Sequence, residues 1–396
     1  MNIPTTVSGR PVTNRGVHGP PFGHSGAWCS PKPIRDYWLK LMQSMGMSWF
    51  MLITDGDSCL TKFDGKAVVT WLLESGIIPL IRWQAPWDRP FTGADVARKL
   101  VPLYAPFGLR PFFQIYNEPG DDREVVNPLP NPWWTHFIAR WVDAAHQVIN
   151  AGALPGFPDG PGFDFQEMHP FRDTPPGYWL DGWAWYGVHN YGKGRPLDYP
   201  YDNVSRFGTQ LTEAEYRAAL DDYADDPQWH DVSLDIINKA RREQANPHLT
   251  ALDDDVCWNA WRKVDHFAKE MLGHSVPMAM TEGGWQPRDR AGSGPNSDLR
   301  WPLTTPRKVA ELTLAMFQAD TPLFAQCPWL LACGDMGGSG WEYDSWVTWA
   351  YADKYGREKP VVRALQQTPP QERTLPQVMA EARGVAENLV GAAGEL

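Results

Sequence analysis

The segment that decides the fold is residues 77–119, which read IIPLIRWQAPWDRPFTGADVARKLVPLYAPFGLRPFFQIYNEP. It contains two apolar runs, residues 77–83 and 111–116, each of the length expected for a buried strand. Between them, Thr92 and Asp95 have the spacing of a helix-capping signature and open a helical pattern. Two strands joined by a helix predict a parallel βαβ unit.

The same alternation continues on both sides of this unit. The other predicted strands are residues 11–18, 48–54, 153–157, 184–188, 276–280 and 323–331. Further helices are predicted from a cap at Ser30, from a cap at Asp64 to residue 75, and over residues 131–150, 253–272, 305–319 and 360–367. Eight strands separated by helices predict an α/β protein built as a single (β/α)8 TIM barrel.

A doubly wound open sheet is the alternative architecture for this pattern. It would require a glycine-rich phosphate loop after the first strand, and residues 16–19, GVHG, do not form the GxGxxG pattern. We therefore assign residues 1–370 to one barrel domain. A helical insertion is expected at 193–250 after the sixth strand, and it contains a helix opened by Thr212 and Glu215. Residues 371–396 are expected to form a C-terminal helix or a linker.

Composition excludes several classes of protein. With 43% hydrophobic and 21% charged residues, the 396-residue chain can bury a large core and is not disordered. A net charge of −11 without a basic stripe argues against nucleic acid and anionic membranes as partners. No apolar stretch approaches the roughly 20 residues of a membrane helix. Residues 1–10 show no signal-peptide pattern, which fits a cytoplasmic protein, a mature secreted chain or a fragment.

Polar residues follow most of the predicted strands, at the end where barrels of this kind carry their active sites. They are His18, Asp55, Asp57, Arg82, Asn117, Glu118, His189, Tyr191 and Glu282. Glu118 after the fourth strand and Glu282 after the seventh lie on opposite sides of the predicted ring. Two facing carboxylates are what glycoside hydrolysis requires, because one must donate a proton and the other must be ionised. A separation of about 5–5.5 Å means retention of configuration, and about 6.5–9.5 Å means inversion.

The motif Asn117-Glu118-Pro119, after a strand reading FFQIY, resembles the acid/base motif of the clan A glycoside hydrolases, the "4/7" superfamily. In that superfamily Asn-Glu closes the fourth strand and a nucleophilic Glu closes the seventh, the position that Glu282 matches. His189 and Tyr191 resemble the clan's His/Tyr pair, and Trp329 resembles the aromatic floor of its sugar subsite. The resemblance spans about residues 12–334. Glu-Gly-Gly-Trp replaces the cellulase-like Glu-Phe-Gly at the nucleophile, which leaves the family and substrate open.

The resemblance implies a retaining β-glycosidase that acts on a polysaccharide or oligosaccharide, and the acidic net charge of the chain favours a neutral substrate over a uronate-rich one. Glu118 would be the general acid/base and Glu282 the nucleophile, with Tyr191 orienting it. Asn117 would contact the sugar 2-hydroxyl. Arg82 would hold Glu282 ionised, as a nearby cation favours a charged carboxylate.

The tryptophans, 21 in all, divide into two groups. Those at helical spacing are expected in the core: Trp38, Trp71, Trp134, Trp141 and Trp261. Those at or after strand ends are candidates for stacking on sugar rings: Trp83, Trp87, Trp285, Trp329, Trp341 and Trp346. His18 is open between a sugar contact and a core position, and we interpret Asp55 and Asp57 as a turn. Residues 334–346 are expected to form a wall of the cleft.

Two rival functions stay open. The first is a carbohydrate-binding barrel that no longer turns over substrate, against which the intact Glu118 and Glu282 argue. The second is a metal-dependent hydrolase, which would need a cluster such as HxH, whereas His18 and His24 are six residues apart. Neither this spacing nor the five scattered cysteines forms a zinc pattern. We expect no metal, no organic cofactor and a monomeric chain.

Overall fold

The structure is a computed structural model that describes residues 3–19, 32–128, 132–160, 165, 167–221, 232–254, 256–287, 298–302, 304–332, 344–347 and 358–371. Its strands are β1 (Thr6–Val7), β2 (Arg10–Pro11), β3 (Gly16–His18), β4 (Trp49–Thr54), β5 (Lys62–Phe63), β6 (Lys66–Ala67), β7 (Ile78–Trp83), β8 (Phe112–Ile115), β9 (Leu154–Phe157), β10 (Trp185–Tyr191), β11 (Met278–Gly284) and β12 (Leu323–Gln326).

Eight of these strands form one parallel sheet in the order β3-β4-β7-β8-β9-β10-β11-β12. Parallel bridges from Arg15 to Gln326 and from His18 to Trp329 join the first strand to the last and its continuation. The sheet therefore closes on itself, and the predicted (β/α)8 barrel is confirmed. We refer to the eight members as barrel strands 1 to 8.

The helices are α1 (Lys32–Ser44), α2 (Val68–Glu74), α3 (Ala94–Tyr104), α4 (Trp133–Ala151), α5 (Pro170–Asp173), α6 (Gly177–Leu180), α7 (Asn203–Phe207), α8 (Glu213–Asp221), α9 (Leu234–Glu243), α10 (Trp261–Leu272), α11 (Pro306–Gln318) and α12 (Pro360–Gln367). Helices α7 to α9 lie in the insertion predicted at 193–250. The Thr212 side chain exchanges hydrogen bonds with Glu215 at the start of α8, as its sequence predicts. The helical extension expected at 371–396 lies outside the described residues, apart from residue 371.

Barrel strands 1 and 8 are shorter than predicted. Strand 1 was expected over 11–18, but the barrel strand spans Gly16–His18 with a single bridge at Arg15, and Pro11 pairs instead with Thr6 in an antiparallel hairpin. Strand 8 was expected to reach residue 331 and ends at Gln326. Beyond it, Trp329 keeps a single bridge to strand 1.

Two predicted helix starts and one predicted cap are also wrong. Asp64 caps no helix, because it lies with Gly65 at positive φ in the tight turn between β5 and β6, and α2 begins only at Val68. The helix expected from residue 253 begins at Trp261, after a 3-10 turn at Trp258–Ala260. At the start of α3 the capping position is Gly93, which makes no side-chain cap.

The lower half of the barrel is filled by a layer of aromatic rings. Trp49, Phe112, Trp185 and Phe324 come from barrel strands 2, 4, 6 and 8, and their ring centroids lie 5.3–6.4 Å apart where they touch. Four side chains from alternate strands are the usual composition of one barrel layer. Because aromatic rings replace the more common branched aliphatics here, part of the tryptophan excess is structural, and the site rests on a rigid floor.

Arg15 ties strand 1 to the end of the chain's last described helix. Its buried guanidinium donates hydrogen bonds to the carbonyl oxygens of Met45, Leu365, Thr368 and Pro369. Two of these carbonyls belong to the C-terminal end of α12, where a cation is stabilising. Among the described residues, no helix is both long and apolar enough to cross a lipid bilayer.

Candidate active site

The two carboxylates singled out in the sequence face each other across the top of the barrel. Glu118 follows barrel strand 4, and Glu282 lies near the end of barrel strand 7. One side-chain oxygen of each, together with a ring nitrogen of His189, all lie within 4.8 Å of one another. The closed barrel therefore brings together the residues that were predicted to meet.

Glu282 is almost fully enclosed by hydrogen-bonding partners. The Arg82 guanidinium donates from Nη1 to Oε1, and the Tyr191 hydroxyl donates to Oε2 at 2.6 Å. His18 Nε2 lies 3.8 Å from Oε1. Burial by itself would raise the pKa of Glu282, but Arg82, His189 and the Tyr191 hydrogen bond outweigh it and hold the pKa well below its usual value. Glu282 is therefore ionised at neutral pH.

Tyr191 stays a hydrogen-bond donor over the whole working range. Burial and the negative charge of Glu282 raise the pKa of its phenol well above the ordinary value. The hydroxyl therefore keeps its proton and directs it to Glu282. Tyr191 and Arg82 thus each contact one oxygen of the Glu282 carboxylate.

Glu118 has a different environment. His189 Nδ1 lies 2.9 Å from its Oε1, and Arg123 Nη2 lies 3.9 Å from its Oε2. The Arg123 side chain is largely exposed and pairs mainly with Asp121, so its hold on Glu118 is weak. Glu282 is thus charged and held by two hydrogen bonds, while Glu118 has one close partner, His189.

His189 lies between the two carboxylates. Its Nδ1 contacts Glu118 and is 3.9 Å from Glu282 Oε2, and its Nε2 is 3.5 Å from Arg82 Nη2. Burial lowers the pKa of His189, but the charge of Glu282 and the hydrogen bond to Glu118 reverse the effect and raise it. A proton on Nδ1 donated to Glu118, with Nε2 accepting from Arg82, satisfies both ring contacts.

His18 and Trp329 meet at the seam where the barrel closes. Their ring centroids are 4.5 Å apart, and the backbones of the two residues form a bridge. Burial and the nearby Arg82 lower the pKa of His18 to about 3, so the imidazole is neutral. Its two ring nitrogens have no hydrogen-bond partner among the described residues, and Trp329 is half-buried. Both stay candidates for substrate contact.

Asn117 is engaged by a residue that the sequence did not single out. Its Nδ2 donates to Glu124 Oε1 at 2.9 Å, and Gln84 Nε2 donates to Glu124 Oε2 at 2.8 Å. Since a carboxylate accepts only, these contacts fix the orientation of the Asn117 amide. Burial raises the pKa of Glu124. No motif marks Glu124, which lies in a 3-10 turn after barrel strand 4.

The structure does not place Trp83 or Trp285 at the site. Arg82 and Trp83 are consecutive on barrel strand 3, so their side chains point to opposite faces of the sheet. Arg82 takes the inner face, and Trp83 packs outward against Phe91 and Phe113. Trp285 is buried, and its Nε1 donates to the carbonyl of Arg195 at 2.7 Å. The expectation that these two rings stack on a sugar is therefore wrong, and both rings pack in the protein interior.

Of the other tryptophans at strand ends, the structure describes Trp87 and Trp346. Trp87 is buried and donates from Nε1 to the carbonyl of Pro119, directly after Glu118, and Trp346 is also buried. Trp341 and most of the 334–346 loop lie outside the described residues. The helix-face group is buried as expected, except that Trp71 is half-buried. Asp57 opens a 3-10 turn and pairs with Lys99 at the surface, in line with its interpretation as a turn residue.

The same three groups have the spacing of metal ligands. Within the described residues, Glu118, His189 and Glu282 are close enough to hold an ion. However, Arg82 and Tyr191 already take one oxygen each of Glu282. A metal ion would have to share the carboxylate with a guanidinium of like charge, which repels it. The residues therefore fit a charged pair better than a metal centre, and we derive no step through a metal.

Comparisons with known proteins address the fold only. No protein-family model and no curated protein sequence matches the chain. Among solved structures it is similar to a monomeric β-xylosidase from Caulobacter crescentus CB15, at 13% identity over 90% of this chain and 67% of that chain, with a TM-score of 0.49. It is also similar to the endoglucanase Cel5A from Thermotoga maritima, at 12% identity over 89% and 96%, with a TM-score of 0.44.

A third similar structure is a β-glucuronidase from Bifidobacterium dentium, at 11% identity over 94% of this chain and 50% of that chain, with a TM-score of 0.44. These values are too low to carry an argument about activity. The barrel itself rests on the strand pairing described above, and the chain is a (β/α)8 barrel protein with two facing carboxylates at the carboxyl end of its strands.

Proposed function

We propose that this chain is a retaining β-glycosidase of the clan A type, which cleaves β-glycosidic bonds in a neutral glycan or oligosaccharide by double displacement. The observation that supports it is the approach of Glu118 and Glu282 oxygens to within 4.8 Å. That spacing fits the roughly 5–5.5 Å of retaining enzymes. An inverting enzyme needs about 6.5–9.5 Å to hold a water molecule between the sugar and its base.

Glu282 is suited to be the nucleophile. Arg82 and Tyr191 keep it ionised and fix both oxygens, so little reorganisation is needed before attack on the anomeric carbon. Attack forms a covalent glycosyl ester and removes the negative charge. Arg82 and Tyr191 then stabilise the carboxylate again when it leaves in the second step.

Glu118 is suited to be the acid/base. In the first step it donates a proton to the departing glycosidic oxygen, and in the second it takes a proton from the attacking water. Its hydrogen bond to His189 orients the carboxyl group towards Glu282, on the far side of the bond to be cleaved.

His18 and Trp329 are suited to bind the sugar beside Glu282. A half-buried indole offers its face to the apolar side of a pyranose ring. A neutral imidazole can donate or accept a hydrogen bond without adding positive charge next to an oxocarbenium-like transition state. Asn117 completes this side of the site, with the orientation that Glu124 imposes.

The test is hydrolysis of a panel of nitrophenyl β-glycosides, β-glucans, mannan and xylan, with the anomer of the first product followed by NMR. A β-anomer formed first supports retention, and an α-anomer refutes it. Glu282→Gln is expected to lower kcat by at least about 10³-fold, since the nucleophile is lost. Unchanged activity in that variant would favour a different mechanism. Full activity in a chelator separates this proposal from a metal-dependent hydrolase, and no hydrolysis of any substrate favours a binding protein.

A further inference from the structure

The segment that follows barrel strand 5 contacts both partners of the Glu118–His189 hydrogen bond. The backbone N–H of His189 donates to Asp159 Oδ2 at 3.1 Å, and the Tyr186 hydroxyl donates to Oδ1 at 3.3 Å. The next residue, Gly160, packs on the backbone of Glu118, because a Cβ placed there would lie 2.6 Å from the Glu118 Cα. Strand 5 contributed no candidate residue from the sequence.

The Asp159 carboxylate replaces a missing strand partner. Barrel strand 6 pairs with strand 5 only at Trp185 and Tyr186, because strand 5 ends at Phe157. On the other side of strand 6, the register to strand 7 shifts between Val188 and His189. The backbone at His189 is therefore irregular on one edge and without a strand neighbour on the other, and the Asp159 side chain supplies the acceptor.

We propose that Asp159 and Gly160 are positioning residues that set the contact between His189 and Glu118, and through it the placement of the catalytic proton. This inference rests on the proposed glycosidase function. Asp159 holds the histidine from its backbone, and Gly160 lets the same segment lie directly against Glu118. Neither residue is assigned a contact with substrate.

Such a role predicts damage that is selective for proton donation. We expect Glu282 to keep its hydrogen bonds to Arg82 and Tyr191 when Asp159 is changed, because neither bond involves Asp159. A misplacement of about 1 Å in a catalytic group costs roughly 100-fold in rate. A leaving group that departs as a stable anion needs no proton, so its departure is insensitive to the acid.

The experiment compares Asp159→Ala with the wild type on two β-glycosides of the same sugar, one with a phenyl and one with a dinitrophenyl leaving group. The sugar is the one that the wild type hydrolyses best in the panel. We expect kcat/KM for the phenyl glycoside to fall about 10–100-fold and that for the dinitrophenyl glycoside to fall less than about threefold. Glu118→Gln provides the reference pattern for a lost acid.

Asp159→Asn is the matched variant, because its carbonyl oxygen still accepts from the His189 N–H, and its loss on the phenyl glycoside should be much smaller. Gly160→Ala should reproduce the selective loss, since the added methyl group displaces the Glu118 backbone. Thermal unfolding of each variant shows whether it folds, and if Asp159→Ala does not, Gly160→Ala decides by the same criterion.

Equal losses on both substrates, or no loss on either, would overturn the positioning role. If the wild type hydrolyses no glycoside, the proposed function itself has failed. If the wild type is active and Glu118→Gln shows the selective pattern while Asp159→Ala and Gly160→Ala do not, only the present inference has failed.

Discussion

Replacing Tyr191 with phenylalanine removes one hydroxyl from the site and leaves the ring in place. The lost contact is the 2.6 Å hydrogen bond to Glu282 Oε2, which is part-buried and charge-assisted. Hydrogen bonds to charged groups contribute about 1.5–3 kcal/mol. At about 1.4 kcal/mol per pKa unit, that range corresponds to a shift of roughly 1–2 units.

The sign of the shift follows from the form that the bond stabilises. Tyr191 donates to the carboxylate, so its loss disfavours the charged form and raises the pKa of Glu282. In the proposed mechanism, activity requires ionised Glu282, and the acidic limb of the kcat/KM profile should therefore move to higher pH by about 1–2 units. At neutral pH, where Arg82 still keeps Glu282 ionised, we expect kcat/KM to fall about 10–150-fold, because the same bond orients the nucleophile.

The assay is the pH dependence of kcat/KM on a dinitrophenyl β-glycoside, which reports the nucleophilic step. Tyr104→Phe is the matched control, since Tyr104 also donates one hydrogen bond, at 3.0 Å to the carbonyl of Pro79, and its ring is buried away from the site. That control should lose stability of about 1 kcal/mol and keep the wild-type acidic limb. A Tyr191→Phe enzyme with unchanged acidic limb and kcat/KM within twofold of wild type would refute the assignment of Glu282.

Two further predictions concern the sugar subsite and the closure of the barrel. Trp329→Ala should raise KM about tenfold or more, because its ring would no longer stack on the sugar. Trp83→Phe is the control and should leave KM unchanged, since Trp83 lies on the outer face of the sheet. Similar KM values for both variants would contradict the assignment of Trp329 to the site and of Trp83 to the packed interior. Arg15→Met leaves four backbone carbonyls without their donor and should lower the free energy of unfolding by about 2–4 kcal/mol, measured by denaturant unfolding. Because Arg15 lies at the opposite end of barrel strand 1 from the site residue His18, the kinetic constants of the folded Arg15→Met enzyme should match those of the wild type, and a selective loss of kcat would contradict this role.

The pH dependence of stability has a definite direction as well. The pKa of Glu282 is lower in the folded chain than its ordinary value of 4.5. Its ionisation therefore contributes stability that is fully present above about pH 4.5 and is lost as the pH falls towards the folded-state pKa. Since Tyr191→Phe raises the folded-state pKa, the variant gains less stability from this group at neutral pH.

Local sequence patterns were sufficient to predict the order of the strands and helices and the two strand-end motifs that contain Glu118 and Glu282. The apolar runs at 77–83 and 111–116 became barrel strands 3 and 4 within one residue at each end. The cap at Thr305 and the helix over Pro360–Gln367 are formed by neighbours within a few positions, which is why their sequence determines them. Glu118 and Glu282 could be placed at strand ends for the same reason.

Where sequence prediction failed locally, a nearby alternative was more stable. Asp64 has the chemistry of a helix cap, but the following Gly65 allows the tight turn of a hairpin, and that turn forms instead. Residue 11 was included in the predicted barrel strand 1, yet Arg10–Pro11 pairs with the adjacent strand β1. Whether each segment forms the helix or strand that was predicted depends on which neighbouring strand is available for pairing, and an apolar strand pattern does not show which strand that is.

The geometry of the site was decided only by the closed barrel. Arg82 and Glu282 are 200 residues apart in the chain, and they meet because strands 3 and 7 end at the same rim of one ring. The alternation of side chains across the sheet sent Arg82 inward and Trp83 outward, which the list of strand-end residues did not distinguish. The same is true of the separation between the two carboxylates. It is also true of the hydrogen bond from Asn117 to Glu124 and of that from the His189 backbone to Asp159, because each joins segments that are separated in the chain. Such distances arise from packing in three dimensions, so the amino-acid sequence alone identified the candidate reacting groups, and the tertiary structure determined how they are arranged.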